Sequence, residues 1–127
     1  MSQTVIQINL QRHFGGGEVY TRFLTSALAH HGCRTLLVVA DDAPFWRQLD
    51  LPNTTLLPVA SLREVAAQLP GVATPIITHG PVDGESLAAW RRVHPVFGIA
   101  HMPLYGRNPR VFDGYSGVFA VSAYVLA

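Results

Sequence analysis

At 127 residues, 49% of them hydrophobic, the chain is long enough for one domain with a real core but short for a self-contained two-substrate enzyme of α/β type. All nine basic residues are arginine and the formal net charge is +1, which does not point to nucleic acid and rules out lysine Schiff-base chemistry and a Walker-type phosphate lysine. No apolar run approaches the length of a membrane span, and the N-terminus lacks the basic-then-apolar plan of a signal peptide, so a soluble, cytoplasmic protein is expected.

The first element is an apolar run from Val5 to Leu10, followed by Phe14-Gly15-Gly16-Gly17-Glu18 and an amphipathic stretch. That order predicts strand, glycine-rich turn, helix. In the helix, Val19, Phe23 and Ala27 make one i,i+4 row and Tyr20, Leu24 and Leu28 the next, so one broad apolar stripe is expected to be buried, with Gly32 as the stop. Cys33 excludes an intrachain disulfide and, placed just before a buried strand, is read as a small hydrophobe. Strand-length apolar runs follow at Thr35 to Val39, Thr54 to Val59, Pro75 to Thr78, Val96 to Ala100 and Gly117 to Val121. Between them lie helical segments at Pro44 to Leu49, at Ser61 to Leu69 with Ser61 and Glu64 as a capping box, and at Asp83 to His94.

Strands that are apolar almost throughout indicate a parallel sheet covered on both faces. The expected fold is therefore a Rossmann-like, doubly wound α/β domain: a three-layer αβα sandwich with about six strands in the order 3-2-1-4-5-6. This order places strands one and four side by side at the topological switch point, where ligands bind. The segment from Met102 to Ser116, rich in Gly, Pro and Arg, is expected to be a surface or binding loop.

Three consecutive glycines, Gly15, Gly16 and Gly17, let a ligand approach backbone amides closely, and the helix behind them directs its positive dipole end to the same place. An anion site is one reading, and glycines that merely pack helix against sheet are the other. Glu18 is either an acidic first-turn residue that stabilises the helix or a group that binds a hydroxyl. Strand ends expected near the turn carry histidines: His13, His79 in Thr78-His79-Gly80, and His101 in Ile99-Ala100-His101-Met102-Pro103. Each could instead cap a backbone carbonyl. Without nearby carboxylates or tight Cys/His spacing, they make no metal signature. Asp41 and Asp42 stand where a dinucleotide fold places its ribose carboxylate, but the GxGxxG pattern fails at its third glycine and Glu18 puts negative charge where a pyrophosphate would lie. Arg91 and Arg92 read as a solvated helix face, as do Arg107 and Arg110 as loop charges. Ser122 reads as the cap of a helix that has made about one turn by Ala127, so the chain is expected to be the front part of a longer protein.

Together these features resemble the N-terminal domain of retaining glycosyltransferases of the GT-B fold, the group called family 4 or group 1. The matching residues are the opening strand with Gly15-Gly16-Gly17-Glu18, the helix with Leu24, Ala27, Leu28 and Gly32, the strand-end His101, and Val121-Ser122-Ala123-Tyr124-Val125. The resemblance covers essentially the whole chain. It implies that residues 1–127 form the acceptor-side domain of an enzyme that moves a sugar from a nucleotide-diphosphate sugar to an acceptor hydroxyl with retention, and that the donor-binding C-terminal domain is absent from this chain. It further implies that the glycine loop faces the donor phosphates and the acceptor, that His101 helps position the sugar and stabilise developing charge, and that metal is not essential. Its partners would be the nucleotide sugar and a glycan, lipid or small-molecule acceptor, with no nucleic acid, in the cytoplasm and with attachment to the inner face of the membrane left open. His79 would line the same cleft without an inherited role, and Arg107 and Arg110 would touch an anionic acceptor. By this reading the chain alone is inactive. Two alternatives stand beside it: a non-catalytic Rossmann-like module that self-associates through its last strand, and the dinucleotide-binding domain of an oxidoreductase.

Overall fold

A computed structural model of the chain describes residues 3–12, 15–80, 82–100 and 114–120. Six parallel strands form one sheet: β1 (Thr4–Asn9), β2 (Arg34–Ala40), β3 (Thr54–Val59), β4 (Ile76–Thr78), β5 (Val96–Ala100) and β6 (Gly117–Ala120). Their order is β3-β2-β1-β4-β5-β6, so the fold is the Rossmann-like α/β arrangement expected from the apolar runs. The helices are α1 (Gly16–His30), α2 (Phe45–Gln48), α3 (Val65–Gln68, entered through a 3-10 turn at Leu62–Glu64) and α4 (Gly84–Arg91). Among the described residues no helix is long and apolar enough to cross a membrane.

Alternation along the strands divides the sheet into two unlike faces. Ile6 and Ile8 of β1 point to one side, where they join Val38, Ile76 and Val96 beneath Val65 of α3 and Leu87 and Trp90 of α4. On the other side Leu37 and Val39 of β2 pack with Trp46 of α2. The parallel register pairs Gln7 with Leu37 and Asn9 with Val39, so both amides lie on this second face, beneath α1. Gln7 is fully buried and Asn9 nearly so.

Those two amides decide which side of α1 faces inward, and the expected apolar stripe is corrected by it. Glu18, Thr21 and Thr25 are the buried residues of the helix, whereas Val19, Phe23 and Ala27 face outward, Phe23 with 70% of its surface exposed. Tyr20, Leu24 and Leu28 are half-buried along the flank. A buried amide left without partners costs about 1–3 kcal/mol. Rotating the helix so that its hydroxyls and carboxylate cover the amides avoids that cost, and it outweighs what Phe23 loses by facing solvent.

Helix ends follow local chemistry. At the C-terminus of α1, Gly32 adopts φ +79°, Cys33 N–H donates to Leu28 O at 2.8 Å and Gly32 N–H to Ala29 O at 3.0 Å, the paired bonds of a Schellman stop. Asp83 caps α4, accepting from Ser86 N–H at 2.9 Å and from the Ser86 hydroxyl at 2.8 Å; these bonds, the backbone one first, hold its carboxyl below the ordinary aspartate range. The capping box expected at Ser61 does not form. Ser61 makes no side-chain cap, and Glu64 instead accepts from Ala60 N–H at 2.9 Å, so the segment starts as a 3-10 turn and its α-helical part is four residues long.

Gly32→Ala meets open space, so its cost is conformational alone; the expected loss is about 1 kcal/mol in chemical denaturation. The inverted helix face gives a second expectation. Phe23→Ser should change folding free energy by no more than about 0.5 kcal/mol, while Thr25→Val, which strips the partner from the Gln7 amide, should cost about 1–3 kcal/mol; the opposite ranking would return Phe23 to the core.

Candidate functional site

β1 and β4 lie side by side, Ile6 opposite Ile76 and Ile8 opposite Thr78, and their chains leave the sheet toward opposite faces. The gap that this creates at the carboxyl edge holds a cavity of about 230 Å³, walled by Ile8, Leu10 and Gln11 from the exit of β1, Leu62 from the 3-10 turn, and Thr78, His79, Gly80 and Val82 from the exit of β4. Its rim is held by polar bonds. Gln11 N–H donates to Asn9 Oδ1 at 3.1 Å where β1 ends, and Val82 N–H donates to the Tyr115 hydroxyl at 2.8 Å where β4 ends. Gly80 turns the chain at φ +124°, a conformation that residues with a Cβ rarely adopt.

Thr78, at the end of β4, is 1% exposed, and its Oγ1 has no hydrogen-bond partner among the described residues. A buried hydroxyl without a partner is uncommon and marks a place where polar chemistry is left unfinished. It lies in the wall of the cavity, which Gln11 and His79 also line beside the apolar Ile8, Leu10, Leu62 and Val82.

Beneath α1 the amides of Gln7 and Asn9 are paired, although Thr35 Oγ1 and Trp46 Nε1 on the same face are, like Thr78 Oγ1, buried without a partner among the described residues. Gly15 is the extended residue before the helix, and Glu18 in its first turn folds inward: the carboxylate accepts from Asn9 Nδ2 at 3.3 Å, with Thr21 Oγ1 accepting from the same amide at 3.0 Å. A Cβ on Gly15 would lie 3.6 Å from Glu18 Oε1, so the carboxylate rests against the turn. With 3% of its surface exposed, Glu18 acts as the first-turn residue that complements the helix dipole, and in this arrangement it is not presented to a hydroxyl outside. Thr21 Oγ1 donates in turn to Gly17 O at 2.8 Å, which ties the turn to the helix.

His79 is also drawn under α1. Its Nε2 lies 2.7 Å from Gln7 Oε1, Gln7 Nε2 donates to Thr25 Oγ1 at 2.8 Å, and the Tyr20 ring meets the imidazole edge-on with centroids 6.4 Å apart. Of the residues singled out by sequence, the structure thus brings together Gly15, Gly17, Glu18 and His79 at the β1–α1–β4 junction. His13, His101, Arg107, Arg110 and the segment from Ser122 lie outside the described residues. Asp42 is engaged elsewhere, in a surface ion pair with Arg12 at 2.8 Å. Cys33 is a free, half-buried thiol. No cluster of His, Cys, Asp or Glu able to hold a metal is present among the described residues.

The chain was compared with protein-family models, with curated proteins and with solved structures. It matches none of them.

Sequence reasoning missed Gln7, Asn9, Thr21 and Thr25. Their signal was nonetheless present: polar residues at alternate positions of β1 face polar residues at i, i+3 and i+7 of α1, two matching periodicities in elements that must pack. Thr78 gives a direct test of the unfinished wall. Thr78→Val keeps the shape and removes the hydroxyl, so folding free energy should stay unchanged or rise by up to about 1 kcal/mol in chemical denaturation; a loss larger than that would mean the hydroxyl is paired.

Proposed function

We propose that the chain is the acceptor-side Rossmann-like domain of a retaining glycosyltransferase of GT-B type, acting with a donor-binding second domain to move a sugar from a nucleotide-diphosphate sugar to an acceptor hydroxyl. The observation that carries the reading is the contrast across the switch point. On the β4 side there is a small cavity with one unpaired hydroxyl; on the β1 side the helix N-terminus already holds its own buried carboxylate.

A dinucleotide held within one domain needs the helix N-terminus for its pyrophosphate and a free carboxylate after β2 for its ribose. The Glu18 carboxylate weakens a lasting hold on a pyrophosphate at the first place, and Asp42 is paired with Arg12. The cavity, at about 230 Å³, also falls below the range of about 300–1,000 Å³ usual for sites that enclose a whole drug-sized ligand. It suits one end of a molecule, such as a ring bearing the hydroxyl to be glycosylated, whose remainder lies against another surface.

In this mechanism the domain supplies positioning. The walls shield one side of the acceptor from water, and the Thr78 hydroxyl offers a partner to an acceptor hydroxyl. By the resemblance, the amides of Gly15 to Gly17 would stabilise the leaving diphosphate, and His101 and Arg107, which follow β5 in the sequence, would contribute to the same step. The sugar and nucleotide are chosen by the donor-binding domain.

The test uses a protein in which this domain is joined to its donor-binding partner domain. Sugar transfer from a panel of nucleotide sugars should be detectable, and His101→Ala should lower kcat by about 10²-fold or more with the thermal midpoint nearly unchanged. Saturable binding of NAD or FAD to the chain by calorimetry, or transfer unaffected by the substitution, would overturn the proposal.

A further inference from the structure

Gln7 is fully buried and joins two elements through opposite ends of one amide. Its Nε2 donates to Thr25 Oγ1 of α1 at 2.8 Å, while its Oε1 lies 2.7 Å from Nε2 of His79. His79 is equally constrained through its backbone, whose N–H donates to Ile8 O at 3.0 Å, and it is 8% exposed with Tyr20 against its ring. An amide has one carbonyl oxygen and one NH₂ group. With the NH₂ directed to Thr25, the imidazole meets the oxygen, which can only accept; the hydrogen between them must then be carried by Nε2 of the ring.

We propose that Gln7 is the positioning residue of His79: it fixes the ring orientation and selects the Nε2–H tautomer, which makes Nδ1 the nitrogen with the lone pair at the carboxyl end of β4. The effect of this relay on sugar transfer rests on the function proposed above, whereas the tautomer does not. Among the described residues, the titratable groups on the packed elements that belong to the same junction include Tyr20, in ring contact with His79, and Glu18, which is bonded to Asn9 rather than to Gln7.

Long-range ¹H–¹⁵N correlation spectra of the full chain, recorded where the imidazole is uncharged, decide the matter without any substitution. The expected pattern for His79 is a pyrrole-like Nε2 and a pyridine-like Nδ1; a pyridine-like Nε2, or an averaged pair, overturns the proposal. Variants separate hydrogen bonding from packing. Gln7→Glu keeps an acceptor oxygen and should keep the Nε2–H pattern, while Gln7→Leu should lower the Nε2–H share; an unchanged pattern in Gln7→Leu counts against Gln7 as its source. In the sugar-transfer assay, loss of the fixed ring in Gln7→Leu should raise the acceptor KM by about tenfold, the equivalent of one hydrogen bond. The expected spectra with unaltered kinetics would leave the positioning intact and refute the role of His79 in transfer.

Discussion

Two amides inside the sheet, Gln7 and Asn9, govern how the rest of this domain is arranged. They sit on one face of β1, are cut off from water, and need partners that a hydrophobic helix could not supply. Helix α1 meets that need with Thr25 for Gln7 and with Glu18 and Thr21 for Asn9. The rotation of the helix, the inward fold of its carboxylate and the outward placement of Phe23 all follow from this pairing. Such a seam is directional in a way that apolar packing is not, because each bond fails when the helix slides by one residue. The glycine turn is therefore set in register with the end of β1.

The opposite face of the same strand has the contrary character. Ile6 and Ile8 enter a continuous apolar cluster with Trp90, Val65 and Ile76, and that cluster supports the segments leaving β3 and β4. Because the chain leaves β1 toward α1 and leaves β4 toward α4, the two faces meet only at the carboxyl edge. There the apolar cluster opens as a cavity with Thr78 in its wall. A paired polar seam on one side and an unfinished polar group on the other give the switch point its asymmetry.

Much of this was legible from the amino-acid order. Long β-branched runs sufficed for the strands, their near-continuous apolarity for a parallel sheet, and the connectivity rules for the order β3-β2-β1-β4-β5-β6. Gly32 was readable as a helix stop because a left-handed residue is required there. The face of α1 was not readable from its own periodicity, because the buried stripe is the polar one of Glu18, Thr21 and Thr25 rather than the apolar rows of Val19, Phe23, Ala27 and Tyr20, Leu24, Leu28. What decides between stripes lies in β1, and a helix read alone carries no information about the polarity of the strand beneath it. Ser61 misled for a related reason. The signature was correct in residue type, but the Glu64 carboxylate found the N–H of Ala60 one residue earlier, and a short segment tolerates that shift.

The same logic changes what three adjacent glycines mean. Read from composition, Gly15 to Gly17 advertise an anion site, since they clear the path to a helix N-terminus. In the folded chain a carboxylate is already there, built into the helix and fixed by Asn9 from the strand below. The dipole is complemented from inside, so a second anion arriving from outside would meet both the favourable amides and the charge of Glu18. Those two contributions oppose each other at short range, which weakens any tight, permanent grip on a phosphate. A group that must bind, react and leave is better served by such a balance than a cofactor that must stay. The missing third glycine and the inward carboxylate thus belong to one arrangement, a helix N-terminus whose dipole is met from within the chain.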